Sequence, residues 1–189
     1  MINWEQILTS ENFKSSPVPH FRIYNLLPDD IHSKLYQDYD TVWDKLIHPT
    51  GIWKKSMDID NPLWEELFNH CWDTGEIVKD YWCKHTDTEL TPTETLNVNL
   101  SKHFFCNHPG ELLRDWHLDG TDKNLSYIYY LGMGDETHGG FEFRCPKTND
   151  ILHYPYTANS LTIWNNDDVS FHRFYQANRE RKTLYSAFT

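Results

Sequence analysis

Leu125-Ser126-Tyr127-Ile128-Tyr129-Tyr130-Leu131, closed by Gly132, is an uncharged run of apolar, aromatic and β-branched residues. A run of this length bounded by a turn residue reads as a strongly apolar strand. The segments around it repeat the theme. Upstream, Leu96-Asn97-Val98-Asn99-Leu100-Ser101-Lys102-His103-Phe104-Phe105 alternates until Pro109-Gly110 breaks it. Downstream, Gly139-Gly140 opens the alternating Phe141-Glu142-Phe143-Arg144. Ser160-Leu161-Thr162-Ile163-Trp164, Val169 to Tyr175 and Thr183 to Phe188 follow. Many short strands separated by turn signals predict a β-sandwich or double-sheet jelly roll.

Before this region the period changes from two to 3.6. Leu27-Pro28-Asp29-Asp30-Ile31 has a helix-start layout, with proline at the boundary and acidic residues in the first turn. Ile31, Leu35 and Tyr39 recur at helical spacing, and Trp43 and Leu46 continue the stripe. A second helix is predicted from Asn61-Pro62 through Leu63, Leu67, Cys71 and Trp72 toward Trp82, and a strand over residues 51–57. The expectation is one domain over 1–189: a mostly helical supporting layer over 1–93 and a jelly-roll core over 94–189.

Composition narrows the function. Eight Trp, eleven Tyr and ten Phe in 189 residues supply a sizeable core and argue against disorder. A net charge of −11 argues against nucleic acid as partner, since phosphate affinity is built on Lys and Arg. No stretch approaches the ~20 apolar residues of a membrane span, and residues 1–5 have no secretory-signal layout. Cys71, Cys83, Cys106 and Cys145 form no Cys-x-x-Cys pair and read as reduced thiols of a cytoplasmic protein.

The chemistry-bearing pattern is His117-Leu118-Asp119, answered by His172 and then Arg181. His117 follows the strand-like residues 111–116. Residues two apart at a strand end can face one metal together. In the alternating segment after Val169, Ser170, His172 and Phe174 share one face, which puts His172 inside if that face is inward. Two imidazoles and one carboxylate are the ligand set of a non-haem Fe(II) oxygenase, with coordination positions left open. A competing pair, His85 and Asp87, lies in a polar stretch whose partner would be His138 beside Gly139-Gly140, a turn ill-suited to hold a metal.

In these residues the chain resembles the 2-oxoglutarate- and Fe(II)-dependent oxygenases, in the prolyl-4-hydroxylase-like branch. The resemblance runs through His117-Leu118-Asp119, Tyr129-Tyr130-Leu131, Gly139 to Phe143, Ser160 to Trp164, His172 and Arg181-Lys182-Thr183. Pro19 to Asp30 resembles the family's entry strand and first helix. It implies a mainly β (α+β) double-stranded β-helix, cupin-like, with N-terminal supporting helices. It also implies His117, Asp119 and His172 as catalytic iron ligands, and Arg181 and Thr183 as binders of 2-oxoglutarate. Tyr127 or Tyr129 is a further candidate for the co-substrate, and Arg179 and Lys182 are rival cations to Arg181.

The implied reaction consumes Fe(II)-bound 2-oxoglutarate and O2, with ascorbate as a candidate reductant. It releases succinate and CO2 and hydroxylates a C–H bond of a peptidyl prolyl or small-metabolite substrate. Asp119 points to a hydroxylase, because related halogenases carry a small apolar residue there. Trp164, Asn165 and Asn166 are candidates for the mouth of the site, and Trp116 for the core. The alternative reading is a metal-binding cupin-like protein without 2-oxoglutarate turnover, serving as a binding module or sensor.

Overall fold

A computed structural model describes residues 2–44, 60–72, 74–86, 88, 90, 95–103, 114–120, 124–132, 140–167, 169–174 and 181–188. Among the described residues, ten strands form two antiparallel sheets, and four helices lie in the N-terminal half. The strands are β1 (Phe13–Lys14), β2 (His20–Tyr24), β3 (Thr95–His103), β4 (Arg114–His117), β5 (Leu125–Tyr130), β6 (Phe141–Arg144), β7 (Ile151–Tyr154), β8 (Ser160–Asn165), β9 (Phe171–Phe174) and β10 (Arg181–Phe188). The helices are α1 (Trp4–Ile7), α2 (Asp29–Asp44), α3 (Pro62–Trp72) and α4 (Gly75–His85). The major sheet runs β1-β2-β8-β5-β10-β3 and the minor sheet β4-β9-β6-β7. This is the jelly roll that the strand pattern predicts.

Alternation along the central strands divides the core in two. From β5, Tyr127 and Tyr129 join a cluster with Leu161, Ile163, Leu184, Phe21 and Ile23, covered by Leu35 and Tyr39 of α2 and Trp64 and Leu67 of α3. The intervening Ile128 and Tyr130 join a second cluster with Trp164, Phe141 and Phe143 between the sheets. Every residue of β5 is buried because helices cover one face and the minor sheet the other. Each such large apolar side chain contributes about 1.5–3 kcal/mol on burial.

β2 stands where the resemblance expects an entry strand before the first helix, and with β1 it extends the major sheet. The helical layer departs from expectation in one place. The helix expected from Asn61 to Trp82 is two helices. Asn61 caps the first, its Oδ1 accepting from the backbone N–H of Leu63 at 3.1 Å. Thr74 then donates its hydroxyl to the Cys71 carbonyl at 3.2 Å, a local bond that competes with the helix ladder. In α2 the buried stripe is Leu35, Tyr39 and Val42, with Ile31 half-buried beside it. The expected strand over 51–57 and residue Leu46 lie outside the described residues.

Candidate metal centre

β4 and β9 pair antiparallel with His117 directly opposite His172. Cross-strand neighbours on one face bring their side chains together, and the two imidazole centroids are 4.3 Å apart. The chain leaves β4 immediately after His117, and Asp119 turns back toward the same point. His117, Asp119 and His172 each offer one ligand atom, all within 4.8 Å of one another. His172 is buried, and the other two are partly shielded.

Several contacts orient these groups. The Nδ1–H of His172 donates to the Ser170 carbonyl at 3.0 Å, which directs the lone pair of Nε2 into the cluster. Ser170 is itself held in a turn, its hydroxyl donating to Asp167 Oδ1 at 2.6 Å and Val169 N–H to the same oxygen at 3.1 Å. The His172 ring stacks on Phe141 at 5.3 Å and leans on Trp164 at 5.1 Å.

Asp119 is divided between two tasks. Its Oδ2 accepts from Ser126 Oγ at 3.2 Å and from the Tyr185 hydroxyl at 3.3 Å. These hydroxyls lie 2.9 Å apart, and Asn166 Nδ2 donates to Ser126 Oγ at 2.8 Å. Its Oδ1 stands 3.8 Å from His172 Nε2. Two electron-pair donors facing each other at that distance are what a cation between them would reconcile. The donor set of two nitrogens and one carboxylate oxygen fits a divalent transition metal with open positions.

The structure sorts the remaining expected residues. Thr183 faces the interior, fully buried, and its Oγ1 has no hydrogen-bond partner among the described residues. Lys182 does not: its ammonium pairs with Asp40 at 2.8 Å and lies over the rings of Tyr36 and Tyr39 on the helix side. Residue 181 pairs with residue 103 in the β10–β3 ladder, but the Arg181 side chain lies outside the described residues, as do Arg179, His138 and Asp87.

Tyr127 and Tyr129 are not brought to this centre. They occupy the helix face of β5, Tyr127 against Trp4, Cys71 and Phe188, and Tyr129 donating to Asn159 Oδ1 at 2.9 Å. Burial pushes both phenols up, so both stay protonated. The tyrosine of β5 that faces the interior is Tyr130, opposite Thr183 in the β5–β10 ladder.

Of the mouth candidates, Trp164 is buried against His172, whereas Asn166 belongs to the network that steadies Asp119. Trp116 is half-buried rather than core, with the guanidinium carbons of Arg173 and Arg144 at 4.3 and 4.8 Å from its ring. Ser126 and Tyr185 escape sequence reasoning because they lie 7 and 66 residues from Asp119 and carry no motif.

No sequence-family model matches the chain, and no curated protein matches it significantly in sequence. Solved structures do match in fold. A prolyl-4-hydroxylase from Pseudomonas putida superposes with a TM-score of 0.60 at 17% identity, over 89% of this chain and 83% of that one. A Trichoplax adhaerens prolyl hydroxylase, solved with a peptide fragment of a hypoxia-inducible factor, gives 0.62 at 13% identity over 98% and 88%. The non-haem alpha-ketoglutarate-dependent epimerase SnoN from nogalamycin biosynthesis gives 0.62 at 10% over 98% and 82%. At these identities the likeness shows the fold: the chain has the double-stranded β-helix of the 2-oxoglutarate/Fe(II) oxygenases. Among the described residues, no helix is long and apolar enough to cross a membrane.

Proposed function

We propose that this protein is a non-haem Fe(II)- and 2-oxoglutarate-dependent dioxygenase that hydroxylates a C–H bond of a prolyl peptide or small metabolite. The observation that carries the reading is the convergence of His117, Asp119 and His172 from β4 and β9 inside this particular barrel. Fold alone does not fix function; a facial set of two imidazoles and one carboxylate adds the chemistry.

His117, Asp119 through Oδ1, and His172 through Nε2 hold the iron. Bound Fe(II) would supply the site at which O2 oxidises 2-oxoglutarate to succinate and CO2 and one oxygen atom is inserted into a substrate C–H bond. Ser126 and Tyr185 occupy the second carboxylate oxygen of Asp119, so that Oδ1 keeps one direction. The Ser170 carbonyl fixes the tautomer of His172. Phe141 and Trp164 exclude water behind the imidazole. The Thr183 hydroxyl and Tyr130 stand on the interior face, and Arg181, two residues before Thr183 on β10, is the proposed cation for the co-substrate's distal carboxylate.

Equilibrium dialysis against Mn(II), a redox-stable stand-in for Fe(II), tests the ligand set. One tightly bound ion per chain is expected in wild type, and weak or no binding in His172→Ala and Asp119→Ala. Undiminished binding in both variants would remove the assignment.

A further inference from the structure

Inside the same barrel stands a charge without a counter-charge among the described residues. Arg22 of β2 is 2% exposed. Its strand neighbours Phe21 and Ile23 pack on the helix side, so Arg22 faces the interior. In the β2–β8 ladder Arg22 pairs with Thr162, and His20 pairs with Trp164. Nη1 donates to Thr162 Oγ1 at 2.8 Å. Nη2 reaches the Pro155 carbonyl only at 3.5 Å, and Nε is buried with no acceptor among the described residues. The rings of Tyr154, Tyr24 and Tyr130 lie 4.8, 4.9 and 5.9 Å from the guanidinium carbon. Among the described residues no carboxylate pairs with it.

A buried guanidinium without an anion is costly, and aromatic rings offset that only in part. Nε and Nη2 form one edge of the guanidinium, the edge that grips a carboxylate through two parallel N–H···O bonds. Here that edge carries one long contact and one unmet donor. Thr162 lies one same-face step, about 7 Å, from Trp164, whose ring is 5.1 Å from His172. Arg22 therefore shares the interior sheet face with the wall of the metal centre.

We infer that Arg22, steadied by Thr162, is the cation of a carboxylate-binding subsite inside the barrel, separate from residue 181 on β10. The carboxylate is that of a second, small acidic substrate, because the proposed function gives the co-substrate's distal carboxylate to Arg181. Only this choice of source rests on the proposed function; the carboxylate chemistry does not.

Calorimetric titration of metal-free protein with succinate reads the subsite without turnover. Arg22→Met should weaken succinate binding roughly ten- to a hundredfold, with the far-ultraviolet circular dichroism spectrum unchanged. Repeating the titration on Mn(II)-loaded protein with 2-oxoglutarate already bound identifies the source. Independent binding that Arg22→Met abolishes is expected for a second acid, and competition overturns that choice of source.

Wild-type affinity in Arg22→Met, or no carboxylate binding to wild type under any of these conditions, overturns the inference. If Arg22→Met does not fold, Arg22→Lys decides, since it keeps the charge and loses the fork; unchanged affinity there overturns it equally. Failure of the iron reading looks different, because it removes Mn(II) binding and leaves the metal-free succinate result standing.

Discussion

Acidification from pH 7 to pH 5 should destabilise this protein through His20, and the size of the loss follows from the residue's surroundings. His20 is fully buried, with Nδ1 bonded to the Val18 carbonyl at 2.8 Å and Nε2 facing the Tyr154 hydroxyl at 2.6 Å. Its ring packs 4.7 Å from Phe143. Burial pushes the imidazole from 6.5 down to about 4, more than the Val18 carbonyl raises it, with Arg22 and Lys14 lowering it further.

The folded state therefore keeps His20 neutral between about pH 4 and 6.5, while the unfolded chain protonates it. A depressed histidine contributes fully above its unfolded value, and the contribution falls away as pH drops toward its folded value. The gap amounts to about 3 kcal/mol in full, of which about 2 kcal/mol is lost by pH 5. Against a total stability of roughly 5–15 kcal/mol for a domain, that is readily measured.

Urea unfolding at a series of pH values, for wild type and His20→Gln in the presence of chelator, checks this. The variant loses ring packing, so its curve is offset. The prediction concerns the slope: wild type should lose about 2 kcal/mol more than His20→Gln between pH 7 and 5. Other histidines contribute equally to both proteins and cancel. Parallel curves would show that folding does not depress the His20 imidazole.

Three further outcomes follow from the site. Ser126→Ala combined with Tyr185→Phe frees the second oxygen of Asp119 and should weaken Mn(II) affinity roughly 10- to 100-fold in equilibrium dialysis. An unchanged affinity would make that network structural only. Tyr127→Phe should leave 2-oxoglutarate affinity unaltered in calorimetry on Mn(II)-loaded protein, because the ring lies on the helix face of β5. Tyr130→Phe, on the interior face, should lower that affinity by roughly tenfold; the reverse order of the two variants would contradict the face assignment.

The fold was legible because the strands alternate and the helices keep a 3.6-residue stripe. Leu35 and Tyr39 of α2, and His172 with Phe174 of β9, lie on the faces their spacing predicts. Legibility ends where both faces of an element are buried. β5 has no polar side to mark the interior, so Tyr127, Tyr129 and Tyr130 are equivalent in sequence and only packing separates them. Register is equally hidden. That His117 stands opposite His172 depends on where β9 lies against β4, across a ladder that shifts between Arg114 and His117. β7 escaped because its four residues alternate between exposed and half-buried, leaving no apolar run. Lys182 shows the reverse case: one residue of strand phase separates a rival cation for the site from an ion pair with Asp40 on the helix side.

The proposed iron site of His117, Asp119 and His172 is tested by anaerobic titration of metal-free protein with Fe(II) and then 2-oxoglutarate, in wild type and His172→Ala. A weak visible metal-to-ligand charge-transfer band is expected in wild type and absent from the variant. Iron-loaded wild type that shows no such band with 2-oxoglutarate would contradict the proposal, and would favour a metal-binding barrel that does not use this co-substrate.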